Sequence, residues 1–115
     1  MAALNPEIVR RAIEAVPAFQ KHGTVRAVYL FGSHVEGRAD QWSDIDLAVF
    51  MDGIEAWDLD QRVHMVVQVQ NQVGYDVEPH LFAASNLVRL EKGSFAEDII
   101  KRGVRIWGEE SVTSG

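Results

Sequence analysis

Leu30–Phe50 reads LFGSHVEGRADQWSDIDLAVF, and the parsing of this stretch decides the fold. An apolar run from Val25 to Phe31 leads into it and has the length and composition of a buried strand. The run stops at Gly32-Ser33. Ten residues later Asp44-Ile45-Asp46 opens a second apolar run that ends at Phe50. A Gly-Ser pair just past a strand frees backbone N–H groups to approach a phosphate, because glycine has no side chain in the way and tolerates positive φ. An Asp-x-Asp on a strand puts both carboxylates on one face. Side by side they repel unless a cation lies between them, and hard oxygen ligands favour magnesium, normally shared with substrate phosphates. A phosphate cradle beside magnesium carboxylates points to a nucleotide site. The competing reading of Asp44 and Asp46 is a solvated turn, with Asp44 capping and Asp46 exposed.

The rest of the chain bounds this reading. At 115 residues there is room for one domain with one core. We take 1–108 as that domain and 109–115 as a polar, frayed tail. The chain has no cysteine, which excludes disulfides and cysteine-based zinc sites or nucleophiles. No segment approaches the roughly 18 to 20 apolar residues of a membrane span, and no basic segment with an apolar core opens the chain, so the expected location is the cytoplasm. The formal charge is −6, and no run of Lys or Arg exceeds two. Phosphate neutralisation supplies most of the affinity for long nucleic acid, so independent binding of a polynucleotide is not expected. A nucleoside triphosphate remains within reach, because magnesium brings its own positive charge.

Asn5-Pro6-Glu7 starts a helix with a capping residue, a proline in the first turn and an acid at the positive end. Val9, Ala12, Ile13, Val16 and Phe19 form its apolar stripe, and Pro17 is expected to kink or end it. Strands are predicted over 25–31, 45–50, 75–82 and 104–107, with Pro79 requiring a sheet edge or a strand end. Over 54–74 Leu59, Val63, Val66, Val67 and Val73 support a helical period, while Val67, Val69 and Val73 also fit a strand; one long helix is predicted because the strands on either side need a crossover. The segment 33–41 reads as a short helix or turn, and short helical stretches fall at 85–90 and 95–101, the last capped by Ser94. His22 reads as an exposed helix-end residue and His64 as a histidine at the core edge. Trp42 has two readings, a base-stacking ring or a cover for a strand end. Ser43 is placed to cap or orient Asp44 through its hydroxyl.

Gly32-Ser33, the ten-residue gap and Asp44-x-Asp46 together resemble the signature of the DNA polymerase beta-like nucleotidyltransferase superfamily. In a chain this short the resemblance is to the minimal nucleotidyltransferase (MNT) branch, often the antitoxin of a HEPN/MNT pair. Gly37 and Ser43-Asp44-Ile45 also match that branch, and the resemblance runs from the first strand to about Trp107. It implies an α+β fold, a small mixed sheet with helices packed on it. It also implies ATP as substrate, one or two Mg2+ ions, and a HEPN-type partner or a homodimer.

Enzymes of this kind use a third carboxylate from a later strand. Here the choices are Glu78 and Asp76, two residues apart and so on one strand face. Matching Phe82 and Ser85 to the family pattern puts the acid at Glu78, where relatives mostly carry aspartate; Asp76 is the alternative. The implied site has Gly32, Ser33, Ser43 and Arg38 toward the nucleotide, and Asp44, Asp46 and Glu78 toward metal and catalysis. The family's usual basic residue stands slightly before Arg38, where this chain has His34 and Glu36. The implied reaction attaches a nucleoside monophosphate to a hydroxyl of a protein or RNA acceptor and releases pyrophosphate. The competing functions are a noncatalytic module that blocks a partner and a nucleotide sensor.

Overall fold

The computed structural model describes residues 4–110. Helix α1 (Pro6–Gln20) begins as its sequence dictates, the Asn5 side chain accepting from Glu7 N at 2.9 Å. It continues past Pro17 and ends three residues later, at Gln20. The fixed φ of proline suits a helix, and burial of Ala18 and Phe19 holds the last turn in place despite the missing donor. The buried stripe is Ala12, Ala15, Val16, Ala18 and Phe19; Ile13, expected inside, is 44% exposed.

Strands β1 (Val25–Phe31), β2 (Ile45–Met51), β3 (Val77–Ala83) and β4 (Val104–Gly108) make one sheet in the order β3-β2-β1-β4. β1 is antiparallel to β2 and β4, while β2 and β3 are parallel, so the mixed sheet expected from the sequence is what forms. A parallel pair needs a crossover, and helix α3 (Leu59–Val73) supplies it. The central strands are apolar nearly throughout because both faces of the sheet are covered. On one face α1 and α3 bury Val28, Leu30, Leu47 and Val49. On the other, Ala27, Tyr29, Ala48 and Phe50 pack against Leu87 and against Ala96 and Ile99 of helix α4 (Phe95–Arg102). Pro79 sits on β3, an edge strand, where its missing N–H costs no ladder bond on the outer side.

The single helix predicted over 54–74 is two elements. A short 3₁₀ turn, Ile54–Ala56, is followed by a break at Trp57 and Asp58. Asp58 then opens α3 with a reciprocal cap: Gln61 N donates to Asp58 Oδ1 at 2.8 Å and Asp58 N to Gln61 Oε1 at 2.9 Å. The buried face of α3 is also not the one that the apolar period marks. Met65 and Val69 are buried, whereas Leu59, Val63 and Val67 are 74%, 51% and 46% exposed. His64 is exposed rather than at the core edge, and His22 is half-buried rather than exposed. Desolvation, then nearby His64 and Lys21, push the His22 imidazole below its ordinary value.

β3 starts two residues later than expected, leaving Tyr75 and Asp76 ahead of the strand. The helical stretch expected over 85–90 is a 3₁₀ turn at Ala84–Leu87. At the end of the chain β4 includes Gly108, and Glu109 N donates to Arg26 O at 2.9 Å. Glu110 pairs with Arg105 at 3.3 Å, and 111–115 of the expected tail lie outside the described residues. Among the described residues no helix is long and apolar enough to cross a membrane.

Candidate active site

β1 delivers the chain to Gly32, which adopts φ 80° and ψ −149° and starts the one-turn helix α2 (Ser33–Glu36). Its carbonyl accepts from both Val35 N and Glu36 N at 3.0 Å, and Gly37 closes the turn in the left-handed region at φ 77°. Ser33 is half-buried at the head of this turn. The neighbouring β2 then carries Asp46 to the same end of the sheet, with Phe31 and Asp46 as register partners. A Cβ built on Gly32 would stand 3.3 Å from Asp46 Cγ and closer still to Oδ2, so only glycine lets the loop lie against this carboxylate.

The parallel partner strand brings up the other ligands. Asp46 and Glu78 are register partners, and His80 follows two residues on, on the same face of β3. One ligand atom from each of Asp46, Glu78 and His80 lies within 4.8 Å of the others. His80 Nε2 is 3.3 Å from Asp46 Oδ1. The His80 ring is met edge-on by Phe31, at a centroid distance of 5.0 Å, and by Phe95 at the start of α4, at 6.1 Å. Asp44 stands just ahead of β2 and is exposed; it is outside this group of three, although its charge is felt at Glu78. Desolvation first, then the neighbouring Asp46 carboxylate, push the Glu78 carboxyl above its ordinary value. Such a shift is what burial beside a like charge produces, and His80 offsets part of it.

The other sequence-derived residues lie elsewhere. Asp76 faces α1, where Arg11 grips it with Nη1 at 2.5 Å and Nη2 at 2.7 Å and also donates to Val73 O at 3.1 Å. The Arg11 hydrogen bond holds the Asp76 carboxyl below its ordinary value. Ser43 does not orient Asp44: its hydroxyl accepts from Asp40 N at 3.0 Å and lies 3.3 Å from Asp40 Oδ1. Arg38 is largely exposed and pairs with Glu36 at 3.2 Å. Trp42 is 81% exposed and covers no strand end. On the α1 side of the loop a cleft of about 440 Å³ is lined by Asn5, Arg11, His34, Ser43 and Asp76 among others, and the buried His34 Nε2 there has no hydrogen-bond partner among the described residues.

His80 was not singled out in the sequence, yet the signal was present. With Glu78 on a strand, period two puts Glu78, His80 and Phe82 on one face.

The set of donors suits a divalent cation. Ligand bonds of about 2.1 Å in octahedral geometry put neighbouring ligand atoms about 3.0 Å apart and opposite ones about 4.2 Å apart. The Asp46–Glu78–His80 spacing is within reach of that with small side-chain rotations.

Comparison with known proteins agrees with the fold. The family model described as Polymerase beta, Nucleotidyltransferase matches residues 14–111. No curated protein is significantly similar to the chain in sequence. Among solved structures, an inferred nucleotidyltransferase from Sulfolobus solfataricus superposes with a TM-score of 0.64 at 22% identity, covering 89% of this chain and 81% of its own. A toxin–antitoxin complex with AMP-PNP contains a chain that matches with a TM-score of 0.59 at 22% identity, covering 88% and 73%. A complex of a tri-AMPylated Shewanella oneidensis HEPN toxin with its MNT antitoxin gives a TM-score of 0.55 at 18% identity, covering 89% and 73%. At these identities the structures speak to the fold, whereas the family model spans most of the sequence. The chain belongs to the polymerase beta nucleotidyltransferase family.

Proposed function

We propose that this chain is a magnesium-dependent nucleotidyltransferase that moves AMP from ATP to a hydroxyl of a protein or RNA acceptor. We propose further that it does so as the antitoxin of a HEPN-type toxin. The observation that carries the reading is the meeting of Asp46 and Glu78 on paired strands beside a glycine turn that tolerates no side chain. The toxin–antitoxin complexes among the structural neighbours support the choice of partner.

Bound magnesium would draw the α-phosphate and the departing pyrophosphate into line and neutralise their charge. Asp44, Asp46 and Glu78 are the residues to hold it. Ser33 and the backbone at Gly32 cradle the β- and γ-phosphates, and Arg38, exposed on the loop beyond them, would have to leave its ion pair with Glu36 to neutralise a leaving oxygen. Ser43 serves the nucleotide indirectly, by bracing the Asp40–Ser43 turn that leads into Asp44. Glu78, with its carboxyl pushed upward, is suited to take the acceptor's proton. The acceptor oxygen then bonds to the α-phosphorus, the bond to the β-phosphate oxygen breaks, and pyrophosphate leaves.

The experiment is incubation with Mg2+, ATP labelled at the α-phosphate and a HEPN-type partner, followed by a denaturing gel. Label on the partner is expected with the wild type and none with Asp44→Asn or Asp46→Asn, with partner binding retained. A second reading, steric blocking of a partner, draws on the apolar face of α3. Leu59, Val63 and Val67 stand exposed beside a groove of about 270 Å³ floored by Pro79 and Leu81. Protection by both Asp→Asn variants would select that reading.

A further inference from the structure

We propose that His80 is a nitrogen ligand of the metal site, and that it gives the site a preference for a transition-metal dication of the manganese type over magnesium. The proposal deepens the reading above and rests on Asp46 and Glu78 holding a cation.

Three observations carry it. One ligand atom each of His80, Asp46 and Glu78 lies within 4.8 Å of the others, so the imidazole stands where it can share a cation with the two carboxylates. The ring is held in that position: Phe31 and Phe95 meet it edge-on, and its side chain is 29% exposed. Nε2 makes a long hydrogen-bond contact of 3.3 Å to Asp46 Oδ1, and that separation is within reach of the edge of about 3.0 Å between neighbouring ligands of one octahedral cation.

The consequence follows from ligand chemistry. Magnesium takes oxygen ligands and gives up its waters reluctantly, so an imidazole adds little to its binding. First-row transition dications gain from an imidazole, manganese least and zinc far more, in an otherwise oxygen-lined site. Exchanging one oxygen for the His80 nitrogen therefore tilts the selection without removing magnesium as an occupant.

The test measures binding, with Mn2+ and Mg2+ as the probes and no turnover. Mn2+ affinity is read from the free-ion paramagnetic signal, Mg2+ from its competition with Mn2+, and directly bound nitrogen from the ¹⁴N modulation of the bound manganese signal. The wild type should bind Mn2+ more tightly than Mg2+ and show nitrogen coupling. His80→Gln keeps an amide that can still hydrogen-bond Asp46, and His80→Phe keeps the ring packing. Both should lose Mn2+ affinity by roughly 10- to 100-fold, the scale seen when a metal's immediate surroundings are disturbed, with Mg2+ affinity near wild type. Both should also lose the ¹⁴N signal. An unchanged Mn2+ to Mg2+ ratio in His80→Gln, or no nitrogen coupling in the wild type, overturns the assignment. If Asp46→Asn still abolishes Mg2+ binding in that case, the carboxylate site stands and the histidine ligand alone falls. If the wild type binds neither ion with or without ATP, both fall together.

Discussion

Gly32 lies directly against the Asp46 carboxylate, and a side chain on either partner's terms cannot fit between them. The contact joins the end of β1 to the start of β2 and ties the phosphate loop to the metal ligand in one step. Gly32→Ala adds a methyl that must displace Asp46 and forces alanine into φ 80°. Strain of this kind costs about 1 to 3 kcal/mol. The variant should melt lower than the wild type and bind ATP with Mg2+ more weakly. Wild-type nucleotide affinity, measured by calorimetry, would show that the loop does not need to lie against Asp46.

Glu78 and Asp46 face one another across the parallel pair, and burial together with the Asp46 charge raises the Glu78 carboxyl, with only part of the effect offset by His80. Glu78→Gln removes one of the two and should stabilise the metal-free protein by about 0.5 to 1 kcal/mol, while removing nucleotidyl transfer. Thermal melts in a chelator together with the α-labelled ATP assay check both halves. A variant that is less stable and still active would take Glu78 out of the site.

Arg11 and Asp76 clamp α1 to the segment that leads into β3. Asp76 is 46% exposed in its side chain, so the pair is partly screened, and Asp76→Asn should cost about 0.5 to 1 kcal/mol at neutral pH. The Asp76 carboxyl is held below its ordinary value by the Arg11 hydrogen bond. Its contribution is therefore complete above the ordinary carboxylate range and is lost as pH falls through the lowered value. Urea midpoints for the wild type and Asp76→Asn should differ at pH 7 and converge in acid. Transfer by Asp76→Asn should remain close to wild type, in contrast to Glu78→Gln.

The two faces of α3 make a sharp contrast. Met65→Ala empties a fully buried position and should cost about 2 to 5 kcal/mol, because the core collapses only in part around the gap. Leu59→Lys with Val63→Lys alters only exposed positions and should leave stability within about 0.5 kcal/mol per site. Co-purification with a HEPN-type partner should weaken in the double lysine variant. Unchanged co-purification would move the partner to another face.

Much of the fold could be read from local sequence. β1, β2 and β4 stood out as short apolar runs, and Asn5-Pro6 and Ser94 marked helix starts that the structure keeps. The division of 54–74 could have been read too, since Asp58-x-x-Gln61 is a capping pair. It was masked by an apolar pattern that continues through it. The buried face of α3 was not legible in the same way. Valines recur on several sides of that helix, and periodicity alone does not say which side meets the sheet.

The sequence by itself determined the glycine-serine turn, the strand that opens beside Asp46, the restriction of Pro79 to a sheet edge or a strand end, and the mixed α+β class. Each depends on chemistry carried by residues close together in the chain. Only the tertiary structure decided which later acid joins Asp46. Glu78 and Asp76 share a strand-face parity, but register with β2 brings Glu78 to Asp46, while Arg11, 65 residues away in sequence, claims Asp76. The same register brings in His80. A ligand set drawn from two strands is fixed by how they pair, and the pairing follows from where α3 returns the chain to the sheet.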